Sequence, residues 1–186
     1  SCLFIDLQIF LGVGERLAFE NIQALTLLYS ALCLTVSYGI FKKVKCSDTC
    51  MVLGMALITF HPGMIYMSAS TNNDMLCTLL TFTCFYFSLV WLEEKTLKNL
   101  LKIAFALGFG MITKLNCAVM AFPLAAVFLV HFIRECKSGR MWKSIKEYAI
   151  FLVVTAGIGL SWVVRNLVFY DTNPGVPVLT EESEQY

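Results

Sequence analysis

Five stretches of this chain run for 17–19 residues without a charged side chain: 23–41, 51–69, 75–92, 115–133 and 148–164. A helix of that length rises about 25–29 Å at roughly 1.5 Å per residue, close to the ~30 Å hydrocarbon core of a bilayer. Inside hydrocarbon every backbone N–H and C=O must be bonded within the protein, which leaves only α-helices and closed β-barrels. Barrel strands need about 10 residues and alternate apolar with polar, and these runs do neither. The fold class is therefore all-α, a polytopic transmembrane helix bundle. A sixth crossing, 97–113, contains Lys102, whose apolar stem can lie along the helix while its ammonium snorkels to the interface. The last run continues through Arg165, giving a span of 148–169 and about six spans in all. Residues 1–16 hold a shorter apolar piece broken by Asp6, which reads as interfacial or as the end of a further helix.

Composition agrees with that class. Charged residues are 15% of the chain and hydrophobic ones 58%, against about 25% and 45–50% in soluble domains. A net charge of +1 provides no bulk basic field for nucleic acid.

The loops set an orientation. If the crossings alternate, eleven of the fourteen basic residues fall on one side, in the loops around 42–45, 95–102 and 134–146. Only Arg16, Lys114 and Arg165 fall on the other. The positive-inside rule then puts the eleven in the cytoplasm. The turns at 68–74 and 113–116, and the polar tail, face outward. The expected layout is a transmembrane region over 1–177 followed by a polar outer tail over 178–186. The chain starts Ser-Cys, with no signal-peptide n-region before the first apolar stretch, and reads as a segment of a longer membrane protein.

Eight cysteines raise the question of metal or disulfides. Cys33, Cys77, Cys84 and Cys117 lie in apolar runs, where a thiol behaves as a small hydrophobe. Cys46 and Cys50 share a loop, but no second Cys/His pair completes a tetrahedral zinc site. Inert thiols and no metal ligands are expected.

The outer face holds the residues that membrane insertion does not explain. Asp74 heads the third span, preceded by Asn72 and Asn73; Lys114 lies in a tight turn; Arg165 lies inside the last span. Taken singly, helix capping and snorkelling account for each. Together, a carboxylate and two cations at one membrane level fit an anionic ligand handled at the surface. Asn73 beside Asp74, and Asn166 and Tyr170 beside Arg165, complete the candidate substrate-binding set.

His61-Pro62-Gly63 should kink the second span, with His61 as a hydrogen-bonded packing residue. Gly108 and Gly110, with Ala104 and Ala106, and likewise Gly157 and Gly159, give small faces for close helix approach. Trp91, Trp142, Trp162, Tyr66, Tyr86, Tyr148 and Tyr170 read as an interfacial aromatic belt.

Three ordered motifs carry a family resemblance over about residues 14–177. "FHPGMIYMSASTNNDML" (60–76) resembles an outer turn of the GT-C membrane glycosyltransferases, particularly glycosyltransferase family 39 and its protein-mannosyltransferase-like bacterial relatives. "ALGFGMITKLNCAVMAFPLAAVFL" (106–129) is similar to their helix pair around an outer lysine, and "WVVRNLVFYDTNP" (162–174) to their end-of-helix Arg-Asn motif.

The resemblance implies inverting transfer of a sugar from a polyprenyl-phosphate-linked donor to a lipid, glycan or protein acceptor. The reaction would run on the outer face of the bacterial inner membrane, or on the luminal face of the endoplasmic reticulum in a eukaryote. It makes Asp74 the candidate catalytic residue present here, Lys114 the outer lysine and Arg165 the phosphate-side arginine. It also implies a divalent metal, Mg or Mn, in the complete enzyme, and a main catalytic Asp in a first outer loop upstream of this chain. The segment alone would then be inactive. Arg16 lies several residues before the family's arginine position and is a weak match. A secondary transporter fragment is the alternative from another class, since broken helices mark such proteins.

Overall fold

The computed structural model describes residues 7–137 and 141–169, and the regular elements among them are all helical. They are α1 (Glu15–Lys43), α2 (Asp48–Thr59), α3 (Pro62–Ala69), α4 (Asp74–Glu93), α5 (Leu97–Thr113), the 3-10 helix η1 (Leu115–Met120), α6 (Ala121–Lys137), α7 (Met141–Gly159) and α8 (Ser161–Phe169). Three helices are long and apolar enough to cross a bilayer: Glu20–Lys43 within α1, α4, and the continuous η1–α6 stretch Leu115–Lys137. The pair α2–α3, bent by 50°, is long and apolar enough only when taken together, as a broken span or a re-entrant loop. Of the six expected crossings the other two are shorter in apolar length. α5 has 17 residues, about 25 Å. α7 carries Lys143, Lys146 and Glu147 in its first turns.

The bend falls where the sequence puts His61-Pro62-Gly63, for the expected backbone reason. α2 ends as Phe60 donates back to Ala56, and Pro62, lacking an N–H, opens α3 at its first turn. His61 itself is exposed rather than packed. Its Nδ1 accepts the Gly63 N–H at 3.1 Å, so it caps α3.

α5 is the centre of the bundle. It packs against α4 on one side and α7 on the other, and α1 lies against the far side of α4. The small face predicts this arrangement well. A Cβ built on Gly108 would sit 3.0 Å from Ile158 Cβ, and one on Gly110 would sit 3.1 Å from Cys117 Cβ. Gly159 abuts Met111 in the same way, but Gly157 meets nothing within 4 Å and serves no close approach.

One apolar cluster joins α4, α5 and α6 through Cys84, Trp91, Leu100, Ile103, Ala106, Leu107 and Leu124. A smaller one gathers Cys33, Met64 and Met75. Leu57, Phe60, Phe122 and Val153 remain exposed on the outside, where lipid replaces water.

Two belt residues belong to the core instead. Trp91 is 1% exposed and meets Phe128 and His131 edge-on at 5.1 and 5.0 Å. The Tyr148 hydroxyl is 2.7 Å from His131 Nδ1, and its ring stacks on Phe128. Position near a span end did not separate them from Trp142, which is 71% exposed as a belt residue should be. The Trp162 side chain and Tyr170 lie outside the described residues.

Lys102 behaves as the sequence suggests. Its ammonium reaches back to Asn99 Oδ1 at 3.1 Å and lies over the Phe87 ring. At the same end of the bundle Lys43 of α1 pairs with Glu93 of α4.

Candidate functional site

The opposite end of α4 is built by an Asx turn. Asn72 Oδ1 accepts the Asp74 N–H at 3.1 Å, and Asn72 Nδ2 donates to Asp74 Oδ2 at 2.9 Å. Asn73 occupies the N-cap position and contributes backbone, its carbonyl accepting the Cys77 N–H; its side chain is exposed. The turn fixes the Asp74 carboxylate at the helix N-terminus, where the dipole favours negative charge.

Lys114 arrives from the other direction. It is a single extended residue between α5 and η1, with φ −159° and ψ 125°. Its N–H still bonds the Gly110 carbonyl, and its own carbonyl accepts from Cys117. The break turns its side chain toward α4, where the ammonium pairs with Asp74 Oδ1. The two side chains are 45% and 31% exposed. A pair this open is worth no more than about 1 kcal/mol in water, so its value lies in placement rather than stability.

One turn deeper, Cys77 and Cys117 form a disulfide with Cα atoms 6.5 Å apart. This corrects the expectation of inert thiols at those two positions. α4 and η1 start side by side at the same end and run in the same direction, so residues three past each member of the ion pair also meet. Gly110 leaves the room for Cys117 to approach.

Among the described residues Cys33, Cys46, Cys50, Cys84 and Cys136 are free. Partial desolvation first, then the Cys50 thiol beside it, push the Cys46 thiol above its usual range, which makes it a weak nucleophile at neutral pH.

Arg165 is exposed on α8, a helix that packs on α7. The Asn166 side chain and Tyr170 lie outside the described residues. Arg16 pairs with Glu20 one turn along its own helix, both well exposed.

Among the described residues no three of His, Cys, Asp and Glu converge as metal ligands. At Asp74 one oxygen faces an ammonium and the other an amide, which does not suit a divalent ion. The residues present do suit orientation of a hydroxyl or a phosphate: one ionisable acceptor, one cation beside it, and water access.

A family model for dolichyl-phosphate-mannose-protein mannosyltransferases matches residues 7–162. The chain belongs to this family. No curated protein and no solved structure matches it. The mannosyltransferase match contains both members of the Asp74–Lys114 pair and the disulfide below them, and it stops short of Arg165. It agrees with the helical, lipid-facing architecture in making this an integral membrane protein of the glycosyltransferase class.

The sequence gives Asn72, Cys77 and Cys117 no role at this site. One signal was available, the Asn-x-Asp spacing of an Asx turn.

Proposed function

We propose that this protein transfers a sugar, with inversion, from a polyprenyl-phosphate-linked donor to an acceptor on the outer or luminal face of its membrane. The Asp74–Lys114 pair at the outer end of α4, within the stretch that matches the mannosyltransferase family, is the observation that supports this. The donor's phosphate stays at the bilayer surface while its sugar enters the protein. Lys114 meets the phosphate oxygens, whose charge grows as the glycosidic bond breaks, so its attraction is strongest in the transition state. Asp74 accepts a hydrogen bond from the acceptor hydroxyl and orients it for attack. Arg165 is assigned to the phosphate as a second cation, and Asn73, Asn166 and Tyr170 to the edges of the same site.

The layout that goes with this is six crossings over 1–177 with the eleven-residue basic set in the cytoplasm. The membrane is the bacterial inner membrane, or the endoplasmic reticulum in a eukaryote.

The test uses full-length enzyme in proteoliposomes with a panel of polyprenyl-phosphate sugars. Lys114→Ala should raise the donor KM about tenfold or more, since it removes a charge-assisted contact. Asp74→Asn, nearly isosteric, should lower kcat by about a hundredfold while leaving protein abundance unchanged. Full activity in both variants would sink the assignment.

A further inference from the structure

We propose that Cys77 and Cys117 are positioning residues: their bond fixes η1 against α4 so that Lys114 stays on Asp74, and use of the donor depends on its being intact. This rests on the glycosyltransferase reading above.

The Lys114 backbone is bonded to Gly110 and Cys117, but the tip of its side chain is held by the ion pair. The residue is extended, it lies between the end of α5 and a 3-10 helix of six residues, and such helices have poorer hydrogen-bond geometry than α-helices. Lysine has a long flexible stem, and its ion pair is too open to water to fix two elements by itself. The disulfide starts three residues past each partner, on the same two elements, with Cys117 buried. A covalent link one turn below an exposed ion pair limits how far η1 can slide or rotate, and so where the ammonium can go.

The location agrees with an independent count. The loop charges put this end of α4 on the outer side, and the outer side is where disulfides form and persist. Closure needs an oxidant of the disulfide class. One oxidised low-molecular-weight disulfide accepts two electrons and the two thiol hydrogens, leaving as two free thiols while the Cys77–Cys117 bond forms.

Three readouts test this on full-length enzyme in membranes. First, denatured, unreduced protein with Cys77 and Cys117 as its remaining cysteines should resist maleimide-polyethylene glycol and take up two labels after reduction. Free thiols in the unreduced protein would overturn the proposal. Second, acylation of the Lys114 amine by a membrane-impermeant ester, followed by mass spectrometry, should speed up several-fold on reduction or in the Cys77→Ser/Cys117→Ser variant. An unchanged rate would reduce the bond to a fold staple.

Third, reduction should raise the donor KM about tenfold with kcat within about twofold, as expected for partial loss of one charge-assisted contact, and oxidised glutathione should restore it. The double Ser variant should start at the higher KM and ignore reductant. Reduction of folded wild-type protein keeps the test available if that variant fails to fold. A fall in thermal stability with no change in KM would overturn the positioning role. The bond and the Lys114 effect, without sugar transfer from any donor in the panel, would support the clip and sink the enzymatic reading instead.

Discussion

Trp91 and Trp142 illustrate how residue identity underdetermines residue role in a membrane protein. Both lie near helix ends, and both are amphipathic rings suited to the headgroup layer. Trp91 is enclosed by Phe128 and His131, whereas Trp142 is open. Trp91→Ala should therefore leave a cavity and cost about 3 kcal/mol or more, while Trp142→Ala should cost under about 0.5 kcal/mol. Thermal unfolding in one detergent compares the two directly, and equal shifts would contradict the packing. The same limit applies at Asp74. Its type and position at a helix start suggested an interesting carboxylate, but capping explains such a residue equally well. What raises it above a cap is Lys114, 40 residues away, and no local pattern announces that contact.

At the scale of elements much more was legible. Four of the five uncharged runs fall in the long apolar helices or the bent pair, whereas 148–164 is divided between α7 and α8; His61-Pro62-Gly63 marked the bend, because loss of a backbone donor is a local property. The small face of α5 was legible too, but only in part. Gly108 and Gly110 face neighbours at about the minimum separation a Cβ can have, while Gly157, with the same spacing from its partner glycine, faces open space. Which face of a helix meets another helix depends on rotation about its axis, and an apolar helix in lipid has no polar face to fix that rotation. Gly108→Val and Gly110→Val should overpack the α5 contacts and destabilise by about 1–3 kcal/mol. Gly157→Ala should be neutral or stabilise by up to about 1 kcal/mol, since it adds helix propensity without a clash. Thermal melts of the three variants decide this, and a destabilising Gly157→Ala would mean that α7 has a neighbour on that face.

Across the whole molecule, the disulfide at one end of α4 agrees with the orientation that the loop charges predict. Lys43–Glu93 closes the end that the loop charges put in the cytoplasm, and Asp74–Lys114 and the disulfide close the other. A helix of 20 residues separates those ends by about 30 Å, the thickness of the hydrocarbon, so an α4 that crosses would present them to different compartments. A reversed bundle would move eleven basic residues to the outer side and put a disulfide in a reducing compartment, two penalties of unrelated origin. This gives a labelling prediction for intact cells or sealed vesicles. In a background that keeps Cys77 and Cys117 and replaces the other cysteines, Thr71→Cys should react with an impermeant maleimide added outside. Lys98→Cys, an exposed residue at the start of α5, should react only after permeabilisation. Labelling of Lys98→Cys from outside would invert the bundle and put the Asp74–Lys114 pair in the cytoplasm, where the lipid-linked sugar of an outer-face reaction could not reach it. Labelling of both positions from outside would mean that α4 does not cross the membrane, and the alternation on which the six-span layout rests would fail with it.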